Sequence, residues 1–169
     1  MRAGHYQRIA VTIFGWSGWD RQQQMVPWSV LDDAGSVDAF VITLLAADRP
    51  TSGFTSISGA IDRSVELIQR SGYSASRSVI DISGDGRNND GRPVTEARDA
   101  ALAAGITING LPFVGVEPGL EDYFRENVIC GHNAFTIPAQ DPSSFSDAVM
   151  RKLLTEVAMA PGPAFASRR

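Results

Sequence analysis

The sequence predicts an α/β sandwich of three layers, with a mostly parallel central sheet and one antiparallel hairpin strand at its edge. Two patterns predict it. Runs rich in β-branched residues alternate with segments whose apolar residues recur at helical spacing, the order that builds a parallel sheet covered by helices. The first two runs, by contrast, are joined by a link too short for a helix and pair as a hairpin.

The elements follow in order. "RIAVTIFGWS" (Arg8–Ser17) and "QQQMVPWSV" (Gln22–Val30) are the hairpin strands, and Pro27, with no amide to donate, assigns the second to a sheet edge. Ser36 can cap a helix striped by Val37, Phe40, Val41, Leu44 and Leu45. After the polar loop "DRPTSGFTSISG", a second helix carries Ile57, Ile61, Val65 and Ile68 and stops at Gly72. "SRSVIDIS" is a strand, and "PVTEARDAALAAG" a helix entered at Pro93 and left at Gly105. "ITINGLPFV" is the next strand, "GLEDYFRENV" a short helix and "AFTIPA" a brief strand. Phe145, Val149, Leu153 and Val157 mark a last amphipathic helix. One domain is expected over residues 1–158, and residues 159–169, without any period, are expected to be a disordered tail.

Composition narrows the function classes. A chain of 169 residues, 43% hydrophobic and 20% charged, has the balance of a single soluble globular domain. Its net charge of −4 and the absence of any Lys/Arg cluster argue against a nucleic-acid partner. No apolar run reaches the roughly 18 residues that span a bilayer, and the opening "RAGHYQR" has no signal-peptide pattern. Cys130 is the single cysteine, so neither an internal disulfide nor a cysteine-based zinc site is available.

The chemistry concentrates where the strand "SVIDIS" ends. "DISGDGRNNDG" (Asp81–Gly91) runs from an apolar strand into carboxylates, amides and glycines, and in parallel α/β sheets ligands gather outside the carboxyl ends of the strands. A calcium EF-hand loop is excluded because its twelfth position is Arg92 instead of a glutamate. A dinucleotide loop is excluded because Asn89 stands where the third glycine belongs, and Asp85 would face a pyrophosphate. A hydrolase elbow, G-x-S-x-G, occurs nowhere in the chain. Two readings stay open on spacing alone: an Asp-Gly turn whose asparagines cap the next helix, and a site for a hard divalent cation held by oxygen ligands.

"SVIDISGDGRNN" resembles the strand and "DG" turn that carry the third metal motif of von Willebrand factor A domains. "TSISGAI" (Thr55–Ile61) resembles their second motif, a threonine four residues ahead of a glycine at a helix start. Further segments, "RIAVTIFGWSG", "VPWSV", "GRPVTEARDAALAAGITINGLP", "YFRENVI" and "AFTIPA", are similar in order to an uncharacterised bacterial branch of that superfamily, the domain of unknown function 1194 type. The resemblance implies a Rossmann-like fold and a metal-ion-dependent adhesion site rather than an enzyme. Asp85 and Thr55 would hold Mg²⁺ or Mn²⁺, with Asp81, Ser83, Ser56 and Asn88 supporting them from behind. The implied partner is a protein that offers an acidic side chain to the metal, met outside the cytoplasm in an exported, full-length form.

One departure from the family is large. Its first metal motif, D-x-S-x-S, closes a central strand, and no such sequence is present; "DISGD" at Asp81 lacks the second serine and "DRSVE" at Asp62 falls within a helix. The chain is therefore expected to lack the usual first central strand, to be truncated before it, and to carry two of five metal-site side chains. Two other functions compete with adhesion: a metal-assisted hydrolase using Asp85 as ligand and Asp81 as base, and a degenerate domain that binds a partner without metal.

The remaining polar and aromatic residues have plainer expectations. Asp81, odd within an apolar strand, is expected to be paired to an arginine in the core rather than to support a metal, and Asn88, Asn89 and Asp90 to cap the Pro93 helix rather than to shape the metal loop. Trp16, Trp19 and Trp28 are expected to pack together across the hairpin. Cys130 and His132 have no third group to make a catalytic set, and Glu117, Glu121 and Asp122 surround a helix start, where negative charge suits the dipole.

Overall fold

A computed structural model describes residues 8–48, 53–140, 144, 147–148, 151–152 and 167–168. Strands β1 (Ile9–Trp16) and β2 (Gln22–Leu31) form the antiparallel hairpin. Its register slips twice, with Val11 opposite Ser29, Ile13 opposite Val26 and Phe14 opposite Gln24. The extra residues on β2 include Pro27, which a bulge on a strand paired on one side accommodates without a missing ladder bond. Thr12 Oγ1 donates to the Val26 carbonyl at 2.7 Å inside that irregular stretch.

Helix α1 (Ala34–Ala46) begins one turn from the hairpin. Asp33, not Ser36, is its N-cap: Asp33 Oδ1 accepts from the Ser36 amide at 2.7 Å, and Ser36 Oγ accepts from the Asp33 amide at 3.1 Å. The expected cap is thus the third helical residue of a reciprocal capping box. None of the residues of α1 is fully buried, and Val37, Val41, Ile42 and Leu45 stand in solvent.

The centre of the domain is a different sheet. β4 (Ser78–Gly84) and β5 (Ile106–Pro112) pair in parallel, Asp81 opposite Asn109. Ile80 and Ile82 of β4 and Ile106 and Ile108 of β5 face a core closed by Ile57, Ala60 and Ile61 of α2 (Ile57–Gln69) and by Val94, Ala97 and Ala101 of α3 (Val94–Ala103). Leu120 of the short α4 (Leu120–Tyr123) and Phe124 and Val128 of the π-helical turn that continues it complete that layer. The other face packs Leu111 against Ala139 and Ala148. Covered on both sides, all seven residues of β5 are buried, as a continuous apolar run on a parallel strand requires. Each large apolar side chain so enclosed contributes about 1.5–3 kcal/mol.

The α/β sandwich is therefore present, and one strand differs from expectation. "AFTIPA" makes isolated parallel bridges, Thr136 to Gly110 and Ala139 to Phe113, instead of a continuous strand. The sheet is interrupted where a central strand was expected to be lacking: among the described residues β1 bonds only to β2, and β4 only to β5, so each keeps one open edge. Tyr73–Ser74 (β3) pairs antiparallel with Ser167–Arg168 (β6), so two residues of the segment expected to be a tail join a ladder. Asp147–Ala148 and Arg151–Lys152 are helical; Phe145, Val149, Leu153 and Val157, which marked the last helix, lie outside the described residues.

Candidate metal centre

Three loops meet beyond the carboxyl ends of β1 and β4, and hydrogen bonds join them. The hairpin turn closes through Ser17 N to Arg21 O at 3.0 Å, and the Ser17 carbonyl accepts from the Ser56 amide at 2.8 Å. The Thr55 amide donates to Asn89 Oδ1 at 2.8 Å, while the Asn89 amide returns to the Thr55 carbonyl at 2.9 Å. Asn88 Oδ1 accepts from Ser58 N at 2.9 Å, and Ser56 Oγ donates to the Asp90 carbonyl at 2.9 Å. The Asp90 carboxylate takes the Trp19 amide at 2.8 Å.

The sequence supplies the shapes this junction needs. Gly91 has φ +79°, and a Cβ there would lie 2.8 Å from Ser56 Oγ and 2.9 Å from Ser58 Oγ, two buried hydroxyls. Only glycine fits both the left-handed backbone and the space. A Cβ on Gly86 would lie 3.4 Å from Thr55 Oγ1 and 3.7 Å from Glu117 Oε2, so the chain after Asp85 passes directly against Thr55. Glu117 is held there by Arg87, which donates through Nε at 2.6 Å and through its amide at 3.2 Å. The Arg87 guanidinium in turn sits 5.0 Å over the Tyr123 ring.

The predicted site residues divide accordingly. Asp85 is exposed and Thr55 half-buried, and both flank Gly86 on the open end of the sheet. Ser56 and Asn88 join the two loops: Ser56 Oγ donates to the Asp90 carbonyl, and Asn88 Oδ1 accepts from the Ser58 amide. Ser83 is half-buried on β4, opposite Leu111 of β5. Asp81, earlier on the same strand, is engaged away from the loops: it pairs with the buried Lys152 and accepts from Asn109 Nδ2 at 3.4 Å. Lys152 is the only lysine in the chain.

Several expectations are corrected here. Asn88 and Asn89 do not cap α3, whose N-cap is Pro93 without a side-chain hydrogen bond; they hold the Thr55–Ser58 segment. The three tryptophans do not cluster. Trp16 packs against the core and Gly84, Trp28 lies 6.0 Å from the Tyr73 ring, and Trp19 is 63% exposed at the loop junction. The sequence did not point to Trp19 as part of this end of the molecule, because its amide meets Asp90 across 71 residues; Asn89 was in the stretch singled out, but not its hold on Thr55, 34 residues away.

The donor set suits a hard cation in kind but is short in number. Mg²⁺ is held by one or two carboxylates with hydroxyls and waters; here Asp85 and the Thr55 hydroxyl stand beside Gly86, while the other carboxylate there, Glu117, is engaged by Arg87. No group of three or more His, Cys, Asp or Glu side chains among the described residues could enclose a metal. One further oxygen is unsatisfied: Ser17 Oγ is buried without a hydrogen-bond partner among the described residues, 3.2 Å from where a Cβ on Gly53 would be. Thr55 also stands just ahead of the α2 N-cap, Ser56, where the positive end of the helix dipole opposes a bare cation and favours an anion.

Comparison with known proteins bears on the fold. Solved structures similar in shape include those of proximal thread matrix protein 1 from the mussel byssus. One matches with TM-score 0.56 and 15% identity over 88% of this chain and 36% of that one. Another, of the same protein with a zinc-occupied metal-ion-dependent adhesion site motif, matches with TM-score 0.54 and 17% identity over 95% of this chain and 36% of that one. This chain thus spans about a third of the length of those proteins. Their likeness defines a von Willebrand factor A-type fold. Within it, the chain belongs to the family described as "Protein of unknown function (DUF1194)", whose model matches residues 1–161. No curated protein matches the chain.

Proposed function

We propose that this chain is a non-enzymatic, protein-binding domain whose divalent-cation site is built on Asp85 and Thr55 and is incomplete in the described residues. The observation that supports it is the joining of the hairpin turn, the Thr55 segment and the Asp85–Asp90 loop into one braced end of the sheet, where Asp85 is exposed and Thr55 half-buried. A hydrolytic reading finds no support there, since Asp81, the base it would use, is engaged by Lys152. No helix among the described residues is long and apolar enough to cross a membrane.

The missing ligands have a place to come from. β1 and β4 each have an unpaired edge among the described residues, and Trp16 of β1 reaches to 3.4 Å from the Cβ position of Gly84 at the end of β4. A strand bonded to both edges would end at the same loop junction and bring its own oxygen ligands to Asp85. The ion is Mg²⁺ or Mn²⁺, and the partner, met outside the cytoplasm, is a protein that supplies an acidic side chain as the last ligand.

Thermal melting with Mn²⁺ or Mg²⁺ tests this. Ligand at ten times its Kd stabilises by about 1.4 kcal/mol, which raises Tm by roughly 3–6 °C for a domain of this size. The rise should disappear in Asp85→Ala and shrink in Thr55→Val. No rise at millimolar metal, in this chain and in a form carrying a strand that ends in D-x-S-x-S, would leave a domain that binds without metal.

A further inference from the structure

Trp19 lines two hollows whose carboxylates are in different states. In the first, Asp62 is gripped by Arg92, and Glu66 by Arg63 and Arg70, so both charges are already matched within the chain. The second, of about 310 Å³, is formed by Gly18, Asp20, Arg21, Phe54 and Asp90 with Trp19. Among the described residues neither Asp20 nor Asp90 makes an ion pair, and Arg21, the one cation of that lining, reaches neither. The second hollow holds two carboxylates against one guanidinium, and it includes neither Asp85 nor Thr55.

The unmatched charges are brought together. A Cβ on Gly18 would lie 3.2 Å from Asp90 Oδ2 and 3.4 Å from Asp20 Oδ1, so the two carboxylates converge over the bare face of that glycine. Two aromatic rings stand beside them in water, Trp19 at 63% and Phe54 at 68% exposure. Ring faces and carboxylates attract the same kind of group, a cation, and repel an anion. The backbone that presents the rings is fixed. The Trp19 amide donates to Asp90 at 2.8 Å and its carbonyl accepts from Gln22 Nε2 at 3.0 Å, while Phe54 precedes the Thr55 amide that Asn89 holds. Anchors fixed in advance lose little entropy on binding.

We infer that the Trp19–Phe54 hollow is a docking site for an arginine side chain of a partner protein, its guanidinium set between the rings and the Asp20 and Asp90 carboxylates. A guanidinium lies flat on an aromatic face and offers paired donors to carboxylates, whereas the ammonium of lysine is a strongly hydrated point charge. The molecule already holds one arginine in this way: Arg87 donates through Nε to Glu117 at 2.6 Å and lies 5.0 Å over the Tyr123 ring. The docking site goes beyond the proposed cation site and does not rest on it.

Random peptides displayed on phage and selected on the protein in EDTA buffer give the test. Recovered sequences are synthesised and titrated by fluorescence polarisation against the parent chain and variants, each checked for folding by circular dichroism. Asp20 is the carboxylate to change, since Asp90 also holds the Trp19 amide. The peptides should carry arginine, and replacing it by its neutral isostere citrulline should weaken binding by about tenfold. Asp20→Asn should weaken it by about threefold to fivefold, and Trp19→Ser and Phe54→Ser by about tenfold each. The control Leu102→Ser should change nothing, and high salt should weaken binding. Recovery of no peptide, of peptides without arginine, or of peptides indifferent to Trp19→Ser and Asp20→Asn would overturn the inference. Lysine in place of arginine binding equally well would overturn the choice of guanidinium. Binding seen only when Mg²⁺ is restored, and lost in Asp85→Ala, would overturn the inference and leave the cation site standing.

Discussion

Thr55 and Asn89 exchange two hydrogen bonds, amide to side-chain carbonyl at 2.8 Å and amide back to main-chain carbonyl at 2.9 Å. An asparagine 34 residues away thereby sets the position of the threonine that we propose as a cation ligand. Asn89→Ala removes one of the pair and should cost about 0.5–1.5 kcal/mol in urea denaturation. Asn89→Asp keeps the acceptor and should lose less. Amide hydrogen exchange should show Thr55 exchanging faster in the alanine variant alone.

Two left-handed glycines separate conformational strain from crowding. Gly72 has φ +73° with nothing within 4 Å of where a Cβ would stand, whereas Gly91, at φ +79°, would drive a Cβ into Ser56 and Ser58. Gly72→Ala should cost only the backbone term, about 1–2 kcal/mol. Gly91→Ala should add an overpacking cost of about 1–3 kcal/mol and should also loosen the loop junction, seen as a larger fall in Tm.

The Asp81–Lys152 pair should respond asymmetrically. Lys152 is buried while the Asp81 side chain is 43% exposed. Removing the carboxylate takes a charged partner from a buried ammonium, whereas removing the lysine leaves a carboxylate that water can reach. Asp81→Ala should therefore destabilise by about 1–3 kcal/mol and Lys152→Met by less, with the difference read from denaturant midpoints.

Burial, the largest cause, pushes the Cys130 thiol above its ordinary value of 9.0, and its Sγ donates to the Arg98 carbonyl at 3.6 Å. The thiol should react slowly with iodoacetamide at about pH 8 and become fast in denaturant. The linkage has a definite sign. The stability this group contributes is intact below pH 9.0 and falls as pH rises beyond it, because the unfolded chain then binds fewer protons. Cys130→Ala should flatten that alkaline fall.

Much of the fold was legible because local signals and packing agreed. The alternation in β1, the run of Ile57, Ile61, Val65 and Ile68, and the continuous apolar β5 each led to the element observed. Where they failed, a contact outside the local pattern had won. Ser36 looked like a cap until Asp33 took that place and used it reciprocally. Asn88 and Asn89 looked like caps for the helix that follows them, but the Thr55 and Ser58 amides claimed their carbonyls. Asp81 was expected to pair with an arginine, yet its partner is Lys152, which lies 71 residues on and has no motif to announce it. Asp85 and Thr55 were identified by resemblance; spacing alone left a cation site and a plain turn equally open.

Helix α1 has a consequence for how the molecule opens. With no buried residue of its own, it is held by its capping box, its internal bonds and its contact with β2. Thirteen residues of helix are marginal without burial, so α1 is the segment with least to lose by unwinding. It should exchange its amides well ahead of α2, whose Ile57 and Ile61 are locked in the core. The domain then has two grades of order: a slow-exchanging block of β4, β5, α2 and α3, and a fast-exchanging helix at its flank.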